Sequence, residues 1–153
     1  MAYSTIDNPE LHFQAKPYSG NGGTQSITLD GSEDMQPDWV WIKVRSQAHN
    51  HYLYDAVRGA QEKISSNTNG AEVDMGSTGL TAFNSDGFSM GNDTDENASG
   101  QTYASWCWKA NGSGSANTAG TINTTATSAN TTAGFSISKY TGNATNGASV
   151  GHG

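Results

Sequence analysis

Asp38-Trp39-Val40-Trp41-Ile42-Lys43-Val44-Arg45, directly after Pro37, is the stretch that decides the fold. β-Branched and aromatic side chains fill it, and such residues suit a pleated, half-buried surface. Successive side chains on a strand point to opposite faces, so Val40, Ile42 and Val44 share one face and Trp39, Trp41, Lys43 and Arg45 the other. A polar turn over 46–50 follows. His51-Tyr52-Leu53-Tyr54-Asp55-Ala56-Val57 then reads as the return strand of a hairpin, ended by Arg58-Gly59.

Working outward, Lys63-Ile64-Ser65 and Leu80-Thr81-Ala82-Phe83 read as further strands. Asn84-Ser85-Asp86-Gly87 is a tight reversal before Phe88-Ser89-Met90, because glycine accepts positive φ without steric cost. Residues 92–100 form a polar loop. The second strong strand is 101–109, with Tyr103, Ser105, Cys107 and Lys109 on one face and Ala104, Trp106 and Trp108 on the other. Its two tryptophans predict that the second face is central to the core. No stretch of eleven residues keeps a helical apolar period, and Gly interrupts every candidate. The chain is therefore expected to be all-β.

Composition agrees. Of 153 residues only 33% are hydrophobic and 14% charged, yet four Trp, six Tyr and four Phe supply large apolar surfaces, unlike a disordered chain. A net charge of −7 with seven scattered Lys and Arg argues against a nucleic-acid partner. Cys107 is the single cysteine, which rules out an internal disulfide. The start, Met1 to Pro9, has no basic and apolar leader pattern, and eighteen apolar residues never run together, so membrane insertion is not expected.

Residues 1–110 read as the main part of one β-sandwich module. From Ala110 to Gly134 every residue except Ile122 is Ala, Asn, Gly, Ser or Thr. Residues 111–134 therefore form a low-complexity arm, either a disordered spacer or a surface arm ordered by a neighbouring subunit; structureless loops of this length are uncommon, which favours the second. In 135–153 the residues Phe135, Tyr140, Gly142 and Asn143 repeat the spacing of Phe13, Tyr18, Gly20 and Asn21. The tail is a closing strand or the start of a second repeat, and the echo favours a chain that is part of a longer protein.

Five blocks carry a resemblance: 18–27, Gln36-Pro37-Asp38-Trp39-Val40-Trp41-Ile42-Lys43, 51–59, Phe83-Asn84-Ser85-Asp86-Gly87-Phe88, and Gly100-Gln101-Thr102-Tyr103-Ala104-Ser105-Trp106-Cys107-Trp108-Lys109-Ala110. In order and spacing the chain from about Pro9 to Ala110 resembles concanavalin A-like (laminin-G-like) structural and tail-fibre domains of phage virions, common in cyanophages and other marine phages. The resemblance implies an antiparallel two-sheet jelly-roll sandwich and a place on a virion assembled in the host cytoplasm. It implies contacts with other virion proteins and a homo-oligomer, trimeric in a fibre. It supplies no catalytic motif.

Candidate chemistry is sparse. Glycosidases flank the scissile bond with paired carboxylates, whereas Glu33, Asp34, Glu72, Asp74, Asp93, Asp95 and Glu96 all fall in expected loops. The acid within a strand, Asp55, stands three residues before Arg58 and reads as a structural ion pair. An enzyme is not expected, an endoglycosidase being the least favoured reading. Glycan binding is the better prospect, with Trp39 and Trp41 as stacking faces and Asn92, Asp93 and Asp95 as polar partners; the competing reading is that a second sheet, loop or subunit covers the indoles. Asp93, Asp95 and Asn97 also make a calcium candidate, although the loop lacks the glycine and terminal glutamate of an EF-hand, and a solvated turn is the simpler reading. No cofactor is expected otherwise. The leading expectation is a non-enzymatic virion appendage module that meets host-surface glycan; the alternative is a capsid or tail decoration or connector protein without a ligand.

Overall fold

The computed structural model describes residues 6–153, so the N-terminal reading over Met1 to Thr5 lies outside the described residues. Eleven strands and a 3-10 turn (Pro9–Leu11) form among them, and every strand pair is antiparallel. The deciding stretch is β3 (Trp39–Val44). It sits inside a six-stranded sheet of order β1-β9-β3-β4-β5-β6, with β1 Phe13–Ser19, β9 Thr102–Trp108, β4 Tyr52–Asp55, β5 Gly59–Ser65 and β6 Val73–Asp74. A three-stranded sheet has the order β2-β8-β7, with β2 Gln25–Ile27, β8 Gly87–Met90 and β7 Leu80–Asn84. A separate hairpin pairs β10 (Ala126–Asn130) with β11 (Phe135–Lys139).

The alternation in β3 builds the core. Val40, Ile42 and Val44 are buried together with Tyr52 and Tyr54 of β4 and Tyr103 and Cys107 of β9; Ile27, Leu80, Phe88 and Met90 of the three-stranded sheet close over them. Tyr18 of β1 joins the two sheets, stacked on Tyr103 at 5.0 Å and edge-on to Phe88 at 6.1 Å. Burial pushes the Cys107 thiol up to about 12, which leaves it an unreactive core side chain. The β7–β8 reversal turns at Gly87, whose φ is +103° and whose missing Cβ lets the Ile27 carbonyl pack against it.

Trp106 and Trp108 are not core, contrary to the expectation from their size. They are half-buried on the outer face of the six-stranded sheet, while Tyr103, Ser105 and Cys107 are fully buried. Cross-strand partners share a face, and the register sets Trp106 opposite Trp41 and Cys107 opposite Val40. The face is thus chosen by the aliphatic side of β3. Ser105 tolerates burial because its hydroxyl donates to the Lys16 carbonyl at 2.9 Å.

The 111–134 segment folds against its own chain and contains β10. Hydroxyls replace apolar burial here. Asn111 N–H donates to the buried Ser128 Oγ (2.7 Å), Thr124 and Thr127 hydroxyls pair at 2.9 Å, and Ile122 bridges to Val150. The tail supplies β11, which pairs with β10 alone. Its Phe135 and the echoed Phe13 of β1 both rest on Trp108, at 6.0 and 4.8 Å.

Candidate functional site

Two rows of side chains cross the outer face of the large sheet. Register sets Ala15, Trp106, Trp41, Leu53 and Ile64 side by side in one row, and Phe13, Trp108, Trp39 and Asp55 in the next. The β10–β11 hairpin covers part of the second row, where Phe135 stacks on Trp39 at 5.3 Å. Beside it a groove of about 460 Å³ opens between β11 and the sheet. Trp39, Leu53, Val57 and Ile64 line it from the sheet and from the β4–β5 turn that also brings Asp55 and Arg58; residues 136–140 line it from β11 and the residue beyond, Tyr140. Tyr140 is 51% exposed, an aromatic face available to a ligand.

The charged pair of the groove is committed to the fold. Asp55 Oδ2 accepts from Arg58 Nε at 2.6 Å, and its Oδ1 accepts the backbone N–H of Val57 and of Arg58. Arg58 also donates to Glu72 (2.9 Å) and to the Leu53 carbonyl (3.2 Å). This is the structural pair that the three-residue spacing suggested. Its carboxylate is held by three donors and ties the β4–β5 turn, an arrangement that suits a rigid wall better than a proton-transfer group.

The five residues expected to bind glycan do not form one site. Trp39 lines the groove, but Phe135 stacks on it and Trp108 lies against it at 5.4 Å. Trp41 stands in the next row, its indole N–H donating to His51 Nδ1 at 3.1 Å and its ring tilted on Trp106. Asn92, Asp93 and Asp95 lie at the other face of the sheet: Asp95 accepts from the hydroxyl of Tyr52, a core-facing residue, at 2.6 Å.

Within that same segment Glu96 and Asn97 form a buried polar plug, whereas Asn92 and Thr94 are exposed and Asp93 and Asp95 half-buried. The Asn97 side chain is fully buried, donating to the Gly23 and Gly91 carbonyls at 2.6 Å and accepting from Gln25 and from Asn21 N–H. Asp93 accepts from the Asp95 N–H, and Asp95 is paired with His49 at 3.1 Å. Asp93 Oδ1, both Asp95 carboxylate oxygens and Asn97 Oδ1 thus face donors from within the fold. Among the described residues no three His, Cys, Asp or Glu side chains are placed to hold a metal.

Sequence reasoning missed Glu96 and Lys139 with Tyr140. Glu96 is completely buried; its Oε1 accepts from Tyr54 Oη (2.8 Å) and Lys63 Nζ (3.1 Å), while Oε2 has no partner. Burial pushes its carboxyl up to about 7, against the opposing pull of Lys63. A signal existed: Lys63 occupies a core-facing position next to the outward Ile64, and a lysine there requires a buried acceptor. For Tyr140 the signal was its place in the Phe135 echo.

Fold and site together define an all-β domain of antiparallel sheets that carries an aromatic-lined groove on its outer face. A family model described as Domain of unknown function (DUF7483) matches residues 8–153, and the chain belongs to that family. The match includes the 135–153 tail. No curated protein and no solved structure matches the chain.

Proposed function

We propose that this chain is a non-enzymatic module of a bacteriophage tail fibre or other virion appendage, and that it holds host-surface glycan in the groove between β11 and the outer face of the large sheet. The observation that carries the reading is the groove itself. It pairs an exposed phenol, Tyr140, and the Trp39 indole with the charged side chains of Arg58 and Lys139, aromatic faces beside polar donors of the kind that bind sugar rings and hydroxyls. The two packed sheets support a jelly-roll sandwich of the concanavalin A-like kind, and the blocks that carry the resemblance supply β2, β3, β4, β8 and β9. Commitment of Asp55 to Arg58 favours holding a sugar over cutting it.

A glycan array tests this directly. The intact chain is expected to bind a subset of glycans and Tyr140→Ala to lose that binding while keeping its melting temperature. Silence on the array together with tight binding to another virion protein would instead support a decoration or connector protein, and release of reducing ends from a bound polysaccharide would make the domain an enzyme.

A further inference from the structure

Strand alternation decides where Lys139 points. Phe135, Ile137 and Lys139 share one face of β11, and Phe135 identifies that face as the one laid on the sheet, because it stacks on Trp39. Lys139 therefore reaches toward the groove that it lines. Four other cations are engaged, Lys16 with Asp30, Arg58 with Asp55 and Glu72, Lys63 with Glu96, and Lys43 with the carbonyls of Val44 and His49, whereas Arg45 and Lys109 do not line the groove. The Lys139 ammonium is exposed and has no partner among the described residues.

The charge balance of the groove follows. Arg58 is held between Asp55 and Glu72, so Lys139 is the one cation of the lining without a carboxylate in direct contact, on a chain whose net charge is −7. Screening beyond about 8 Å at physiological ionic strength removes most of the general repulsion from the rest of the surface, and the contact charge decides. We infer that the groove takes an acidic glycan, with Lys139 contacting the carboxylate or sulfate of a sugar whose ring lies on Tyr140. This deepens, and rests on, the reading of the groove as the glycan site. Neutral sugars would leave the cation without a counter-charge, whereas an acidic one forms a charge-assisted hydrogen bond.

Isothermal titration of the intact chain with three polymers of matched length tests the inference: alginate for carboxylates, carrageenan for sulfates and dextran as the neutral control. Binding to at least one acidic polymer is expected, weakening as salt rises, with Lys139→Ala losing roughly tenfold and Lys139→Arg retaining affinity. The two acidic arms identify the anion. Equal affinity for dextran, or an unchanged Lys139→Ala, overturns the inference. If dextran binds and Tyr140→Ala abolishes it, the groove remains the glycan site and the charge argument alone fails; if no polymer binds and the glycan array is silent, both fall.

Discussion

The two faces of the six-stranded sheet are made by alternate residues of the same strands, yet they do different work. The inner face is aliphatic and phenolic, sealed by the three-stranded sheet and by the polar plug around Glu96 and Asn97. The outer face carries all four tryptophans half-buried, with one hairpin laid across part of it. Large aromatic area therefore does not mark the core. What marks it is the face whose side chains meet another sheet, and the indoles occupy the face that a single hairpin covers only in part.

Neighbouring residues of β3 give the sharpest way to break this contrast. Ile42→Ala opens a cavity in a fully buried site and is expected to cost about 4 kcal/mol in urea denaturation, against about 1 kcal/mol for Trp41→Ala, which removes a half-exposed ring. Equal losses at the two positions would erase the distinction between the faces.

The inner face also predicts a pH dependence. Glu96 titrates at about 7 when folded against an ordinary 4.5, so the folded chain binds this proton more tightly than the unfolded chain. The resulting stabilisation is complete below about pH 4.5, falls as pH rises and is gone above about 7, on the order of 3 kcal/mol in all. Denaturation midpoints across pH 4 to 9 should show this loss, and Glu96→Gln should flatten it. A stability that rises through that window would mean that Lys63 holds the carboxylate ionised.

On the outer face, Phe135→Ala should cost about 2 kcal/mol and shift tryptophan emission to the red, since it uncovers Trp39 and Trp108 together. Unchanged emission would show that the hairpin does not rest on the sheet in solution. Among the residues of this face, Tyr140→Ala should alter stability least, by about 0.5 kcal/mol or less, because its ring is half exposed and packs on none of the four indoles.

Much of the architecture was legible from period-2 patterning. The 38–45 stretch announced β3 and its aliphatic face, the Asp-Gly reversal announced the β7–β8 hairpin, and the spacing of Asp55 and Arg58 announced their pair. The strand around Trp106 was legible too, but its orientation was not: two bulky indoles predict their own face as core, whereas register with Val40 and Ile42 buries the face with Ser105 and Cys107. The candidate site was visible only as Trp39. Tyr140 and Lys139 become part of it because β11 returns across the sheet from a distant point of the chain, and no local pattern encodes that return.

By itself, then, the sequence determined that this chain forms antiparallel strands with large aromatics and few charges, because alternation and turn chemistry act between near neighbours. Tertiary structure decided which face of β9 is core, how a tract of Ala, Asn, Gly, Ser and Thr could order through hydroxyl pairs, and which residues meet at the groove. Those outcomes depend on strand register and on contacts between residues far apart in the chain, where the energy of a side chain is set by the partner that arrives opposite it.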